Sequence, residues 1–482
     1  MSKAPRAWTR LLAALLFFVS GALLWAPKAQ ANGAYTHAHI SQLAHGFLPP
    51  GELRDLFDDP ENVAAFENGS LFPDSGYAIS HPYGEFAHWA RFRLAFLDYL
   101  RGTYGGDYSS TEAQRSVSFF LGFCSHGLAD QSYDTIILAR AFEVDGPEPD
   151  GFAIDQYADY FITIDENIVF AMDGSGPFSE LAAVLSESMD MPIEAGVPMQ
   201  GMLIMSGVAT FQGTPAGVGG SLYQSAWAEY PWLGTHIYND AALGSLPWLG
   251  ALVAEQWQVL WRRLHYTDDI DEDLVLRTVP EDGGVNWAVD HEESEAYSRI
   301  AIFTGYAMDM DAARARMHLR DALGAEVPVT FDTAYGGRER SLIFLRPSDT
   351  LDYDSTYTVE IESGVTTLED LSTTAPISFS FRTRCADENL ADCPPLAPSL
   401  VTGEMPPPRI PDAGPPGSDA GPPETDAGPP GSDAGPTSDA GGADAASTPP
   451  TSSGGCSLAP TSSAPTLWLS FGLALLAIRR RR

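Results

Sequence analysis

The sequence predicts a mainly α-helical domain followed by an all-β sandwich, a disordered linker and a short C-terminal hydrophobic helix. Three observations carry this. From Tyr35 to about Tyr266 apolar residues recur at helical intervals, as in Phe86–Tyr99 (FAHWARFRLAFLDY) and Ser116–Ala141. After Asp268 the pattern shortens to alternating runs separated by turn residues. From Cys393 to about Gly455, Asp-Ala-Gly-Pro units put Asp412, Asp419, Asp426 and Asp433 seven residues apart, and nothing there fills a core.

The N-terminus reads as a signal peptide over residues 1–31. Lys3, Arg6 and Arg10 precede the apolar run Leu11–Trp25, and Ala29-Gln30-Ala31 is a small-residue cleavage site that makes Asn32 the mature N-terminus. The helical domain occupies 32–266, with further helix-length patterns at Phe152–Met172 and Trp248–Leu264 and a loop-like stretch at Gly213–Gly220. The β domain occupies 268–385. Its expected strands are Leu274–Val279, Ile300–Phe303, Met317–Leu319, Val327–Phe331, Leu342–Leu345, Tyr357–Ile361 and Ile377–Phe381, a number and spacing that fit an immunoglobulin-like sandwich.

Residues 386–455 hold a Cys loop and the linker. Cys385 and Cys393, eight apart, are expected to form a small disulfide in an exported protein. The heptad spacing of the Asp residues does not make a coiled coil, because Pro and Gly forbid the helix. Residues 456–482 begin at Cys456, run through the apolar stretch Leu467–Ile478 and end in Arg479–Arg482. This twelve-residue stretch falls short of the roughly 20 residues that span a bilayer.

Composition narrows the partners. With 27 Lys and Arg against 64 Asp and Glu, the formal charge is −37, so broad attraction to nucleic acid is not expected. Such a chain suits an extracellular life or a site that gathers cations.

The stretch FFLGFCSHGLADQSYD (Phe119–Asp134) places His126 and Asp130 four residues apart on one helix face. The pair reads either as a helical hydrogen bond or as half of a tetrahedral metal site. Further donors precede it: His37, Asp74 in GSLFPDSGY, and His88 in AHWARF. Pro73 and Gly76 predict a loop at Asp74, and His88 falls at the start of a helix. Cys124, among Phe and Leu, reads as a buried thiol and not a ligand.

The order TH, FPD, HW, SHxxAD is similar to the zinc-dependent phospholipase C family, which shares its fold with single-strand-specific nucleases. The wording is closest to the N-terminal domain of the phospholipase D acting on glycosylphosphatidylinositol anchors. The resemblance covers Asn32–Asp159 and, more loosely, the helical domain to Tyr266. It implies that His37, Asp130 and the amine and carbonyl of Asn32 share one Zn²⁺, and Asn32 stands the expected five positions before His37. It implies that Asp74, His88, His126 and Asp130 hold a second, with Asp74 as the catalytic residue that bridges to a further metal and contacts the attacking water.

The remaining site departs from the family. Asp134, Asp155 and Asp159 stand where the relatives carry two His and an acid, and oxygen-only donors favour Mg²⁺, Ca²⁺ or Mn²⁺ over zinc. That position takes another divalent cation, binds zinc weakly or is empty. His81, in ISHPYGE, is open as a substitute ligand or acid. His39, His45, His236, His265, His291 and His318 lie outside the motifs.

LIFLRPSDTLDYDSTYTVEIESGV resembles bacterial Ig-like domains of the surface-layer type, implying a spacer or adhesive module. Gly-Cys, hydrophobic helix and Arg cluster resemble the myxobacterial C-terminal sorting tag, implying a sorting machinery as partner and anchoring at the outer surface. A weak membrane tail is the alternative. The expectation is a secreted, surface-anchored phosphodiesterase with two or three Zn²⁺ ions, hydrolysing phospholipid head groups at a membrane surface. The alternatives are a nuclease on the same fold and a catalytically degenerate, metal-stabilised surface adhesin or scaffold.

Overall fold

The computed structural model describes residues 33–147, 155–168, 170, 172–212, 220–292, 294, 296–333 and 340–386. The signal peptide, Asn32, Cys393, the linker beyond residue 386 and the C-terminal tail lie outside the described residues, as does the side chain of Asp155.

The site is framed by α1 (Ala34–Phe47), α2 (Pro60–Ala78), α3 (Tyr83–Ala87), α4 (Ala90–Tyr104) and α5 (Thr111–Ser132). Helix α5 runs through a π-helical turn (Tyr133–Leu138) into α6 (Ala139–Val144). Then come α7 (Asp155–Asp165), α8 (Phe178–Ser188), α9 (Gly196–Gln212), α10 (Gly220–Glu229), α11 (Pro231–His236) and α12 (Leu246–Leu264). Starts follow ordinary capping chemistry. The Asp59 carboxylate accepts from Glu61 N at 2.9 Å, with Pro60 opening α2. Ser110 accepts from Ala113 N at 3.2 Å to cap α5.

Two expectations need correcting. Asp74 lies inside α2, not on a loop. Pro73 has a φ compatible with a helix and forfeits only the bond its amide would give to the Gly69 carbonyl, and packing against α5 holds the helix through it. The expected continuous helix over Phe86–Tyr99 is broken at His88 and Trp89, where Trp89 is extended (φ −106°, ψ 158°).

Helices α2 and α5 approach backbone to backbone. A Cβ on Gly69 would lie 2.2 Å from the Phe119 carbonyl oxygen, and one on Gly122 2.1 Å from that of Phe66. Only glycine permits this crossing at either point. Trp257 of α12 closes the core from the far side, donating Nε1–H to the Leu121 carbonyl at 2.9 Å.

The β part is a two-sheet sandwich. One sheet has the order β1-β3-β7-β6, the other β2-β9-β8-β4-β5. The strands are β1 (Val275–Val279), β2 (Gly284–Trp287), β3 (Ile300–Thr304), β4 (Met317–Arg320), β5 (Glu326–Val327), β6 (Val329–Thr333), β7 (Leu342–Pro347), β8 (Thr356–Ile361) and β9 (Ile377–Thr383). The strand expected at Val327–Phe331 is two strands. Pro328 cannot continue a ladder, so the chain changes sheet there: Val327 pairs with Leu319, and Phe331 with Leu345. Strand β2 was not anticipated; it is short, irregular in register and parallel to β9. Cys385 is disulfide-bonded, and Cys124 is a buried thiol.

The sandwich is packed against the helices and shares their core. The Trp248 and Phe303 rings meet at 5.4 Å between centroids. Arg277 makes a bidentate pair with Glu255 at 2.8 and 2.9 Å, Arg93 Nη2 donates to Ser341 Oγ at 3.0 Å, and Arg263 pairs with Glu369. The segment following the SHxxAD motif is tied down too. Glu143 accepts from Ala296 N at 2.8 Å and Ser294 Oγ at 2.9 Å, and Arg299 donates to the Thr135 carbonyl at 3.1 Å.

Candidate metal centre

Helices α1, α2 and α5 and the break after α3 bring His37, Asp74, His88, His126 and Asp130 together, all buried. His126 Nδ1 lies 2.6 Å from the Ser70 carbonyl oxygen, and His88 Nδ1 2.6 Å from that of Gly84. A carbonyl can only accept, so both Nδ1 atoms carry a proton, and in the neutral ring each Nε2 presents a lone pair. This is the way metal-ligating imidazoles are commonly oriented. Close backbone approach makes it possible. A Cβ on Gly76 would fall 2.3 Å from Gly84 Cα, and one on Gly127 2.7 Å from the His88 carbonyl oxygen.

The lone pairs face one another. His88 Nε2 and His126 Nε2 are 3.0 Å apart. Asp74 Oδ1 lies 3.4 Å from His88 Nε2 and 3.8 Å from His126 Nε2. Asp130 Oδ2 lies 3.3 Å from His126 Nε2 and 3.8 Å from His88 Nε2. These five separations bracket the edge of about 3.3 Å in a tetrahedron with zinc–ligand bonds of roughly 2.0–2.1 Å. His37 Nε2 reaches Asp130 Oδ1 at 3.1 Å and stacks its ring on His126 with centroids 3.7 Å apart. The donors form two overlapping groups, His37–His126–Asp130 and Asp74–His88–His126.

Protein atoms alone do not satisfy this arrangement. Asp74 Oδ1 and His37 Nδ1 are buried without a hydrogen-bond partner. A proton shared between His88 and His126 leaves these atoms uncompensated. The set therefore fits a divalent cation of the zinc type, with nitrogen and carboxylate donors in mixed array. Burial pushes the Asp130 carboxyl up, but the imidazoles of His126 and His37 more than offset this and hold it well below the usual carboxylate range.

The expected third site is arranged differently. Asp134 lies half-buried in the π-helical turn, and neither it nor Asp159 joins a group of three converging donors among the described residues. Asp159 instead turns to the first turn of α1, where Oδ1 accepts from Thr36 N at 2.8 Å and Thr36 Oγ1 at 2.9 Å. Burial, with a smaller contribution from Asp74, raises its carboxyl to about 7 against the lowering effect of those hydrogen bonds. His81 stands outside the cluster, its Nδ1 accepting from Tyr83 N at 3.2 Å.

Sequence reasoning missed the support around His88. Tyr77 donates to Glu85 Oε2 at 2.7 Å, Trp89 donates to Glu85 Oε1 at 3.1 Å, and the Tyr77 ring lies 5.2 Å from the His88 ring. The i,i+4 spacing of Glu85 and Trp89, straddling His88, and Tyr77 three residues after Asp74 were the available signals.

Residues 269–383 match the family described as bacterial Ig-like domain, and no phospholipase C family matches. No curated protein matches the chain. Among solved structures, surface layer protein SbsC, domains 1–6, aligns with 11% identity over 72% of this chain and 44% of that one, at a TM-score of 0.17. A crystal structure of the S-layer protein rSbsC aligns with 10% identity over 62% of this chain and 45% of that one, at 0.18. The chain thus spans under half the length of either, and superpositions this partial define no common fold.

Proposed function

We propose that the chain is a secreted, surface-anchored, metal-dependent phosphodiesterase that hydrolyses phospholipid head groups. The observation that supports this most is the convergence of the His88 and His126 Nε2 nitrogens with Asp74 and Asp130 oxygens, a donor set that suits a cation. Zinc bound there supplies a Lewis acid for a phosphoryl oxygen and acidifies a water. Asp74, whose Oδ1 has no hydrogen-bond donor, would be the residue to orient a water and take its proton. Asp130 divides its oxygens between His37 and His126 and so holds both rings. The leader, the Ig-like module and the C-terminal tail support placement at the outer surface.

The test is phosphate-ester release from phosphatidylcholine micelles by the mature chain, with and without a chelator. Chelator-sensitive release that Asp74→Asn lowers by ~10²–10⁴-fold is expected. Chelator-insensitive release overturns the metal mechanism, and activity on single-stranded nucleic acid alone replaces the substrate.

Burial favours a second reading. None of the five converging residues is more than 6% exposed, as suits an ion that only holds a surface scaffold together. Tight metal binding with no turnover of any phosphodiester selects that reading.

A further inference from the structure

Helix α9 is clamped to α2 along one side. A Cβ on Gly201 would lie 2.3 Å from Tyr83 Oη and 2.5 Å from the Ser75 carbonyl oxygen, so the two helices meet there only because residue 201 is glycine. Met202 and Ala209 are buried in the core on the same side. Ser75 adjoins Asp74, so α9 lies over the turn of α2 that carries a carboxylate of the metal centre.

The other side is open. Gly196, Met199, Gln200, Leu203, Ile204 and Gly207 are all exposed, and their spacing of three and four residues draws one stripe along the helix. Its three large side chains keep 43% (Met199), 57% (Leu203) and 37% (Ile204) of their surface in water, and partly buried Val197 and Met205 flank them. Single exposed apolar residues call for no explanation, but a contiguous run on one helix face marks a contact surface.

The charge pattern says what kind. Between Glu194 and Glu229 the sequence has no Asp, Glu, Lys, Arg or His, and between Arg140 and Arg262 it has no Lys or Arg, in a chain that carries 64 acidic residues. A charge-free face on so acidic a chain suits an electrically neutral surface. An anionic surface finds no basic residue in this stretch and repels the acidic remainder. The stripe runs from Gly196 to Gly207, about 17 Å at the helical rise, and is one helix wide. That falls well below the ~800 Å² per partner of a stable protein interface, which weighs against a second copy of the chain.

We propose that α9 is a lipid-docking ridge. Met199, Leu203 and Ile204 enter the acyl boundary of a zwitterionic bilayer, and α2 with the metal centre is held at the head-group layer. The inference deepens the phosphodiesterase reading, on which its purpose rests, by naming zwitterionic phospholipid as the substrate class.

The experiment uses the full mature chain with Cys456→Ser, carrying an environment-sensitive fluorophore on Leu203→Cys or, as a control, on Leu323→Cys between β4 and β5, where Leu323 is 94% exposed. A chelator keeps the lipid intact. Phosphatidylcholine vesicles are expected to raise and blue-shift the emission at position 203 and to leave position 323 unchanged. The change per bound chain should be smaller with phosphatidylglycerol. Met199→Gln together with Ile204→Gln should raise the lipid concentration for half the change about tenfold.

A response at both positions or at neither overturns the docking, as does a larger change per bound chain with phosphatidylglycerol. A dimer in sedimentation that the double substitution splits assigns the stripe to a second copy and overturns it too. Turnover of phosphatidylcholine by the metal-loaded chain without a response at position 203 overturns the docking and leaves the phosphodiesterase standing. A response at position 203 without turnover supports the docking and overturns the phosphodiesterase.

Discussion

His126 belongs to both donor groups, and its ring is fixed by one bond to the Ser70 carbonyl. Its Nε2 carries one lone pair and serves one ion, whereas Asp130 sets Oδ1 beside His37 and Oδ2 beside His126 and His88. Asp130→Asn is therefore expected to lose metal from both groups after desalting, and His37→Ala from one, as read by atomic emission. Equal losses would contradict the shared role of Asp130. His126→Ala strands a buried carbonyl, at about 1–3 kcal/mol, and urea unfolding of the metal-free protein should show that loss. A different histidine sets a pH limit. His236 donates Nδ1–H to the Trp232 carbonyl at 2.8 Å and stacks on that indole. Burial, aided by Arg140, lowers its affinity for a proton. The unfolded chain takes up that proton below about 6.5 and the folded chain only at lower pH. The stability is thus complete above ~6.5 and is lost as pH falls below it. Unfolding free energies measured from pH 7 to 5 should fall less steeply in His236→Gln than in the parent.

At the scale of elements, the site depends on α2 and α5 touching. Gly122→Ala places a methyl against the Phe66 carbonyl. It should destabilise by about 1–3 kcal/mol through overpacking and weaken metal binding, because His126 is withdrawn from Ser70. Denaturant unfolding and metal titration check both, and unchanged metal affinity would separate the crossing from the site. His126 and Asp130 were legible as a pair from their spacing, and His37, Asp74 and His88 as donors from the short motifs that carry the family resemblance. The glycines that make their convergence possible carry no side-chain signal of what they touch. Asp74 was misread as a loop residue because Pro73 is a local breaker, whereas the Pro73 helix is held by tertiary contact. The strand break at Pro328 was visible as a proline, but its meaning, a change of sheet, depends on partners remote in sequence. Asp159 was legible as a carboxylate four residues after Asp155. Its direction was not, because nothing in that spacing points to Thr36.

At the scale of the molecule, the sequence reads the β part as a separable module, and its strands were mostly legible from alternation. The helical and β parts nevertheless share a core and the pairs Arg277–Glu255 and Arg263–Glu369. Such contacts are invisible to local patterning, since each residue is ordinary in its own segment. A chain of residues 32–386 should therefore unfold in one calorimetric transition with matching calorimetric and van't Hoff enthalpies. Two resolved transitions would show that the parts are independent. The last described strand, β9, has a mechanical consequence. It lies inside its sheet, antiparallel to β8 through six residue pairs and parallel to β2, and beyond it Arg384 N bonds the Trp287 carbonyl at 3.0 Å. Tension applied through residue 386 enters at an interior strand and loads two ladders together, where an edge strand would peel away bond by bond. Because that sheet's partner layer is wedged against α12, a pull strong enough to extract β9 would also strip the helices of their cover.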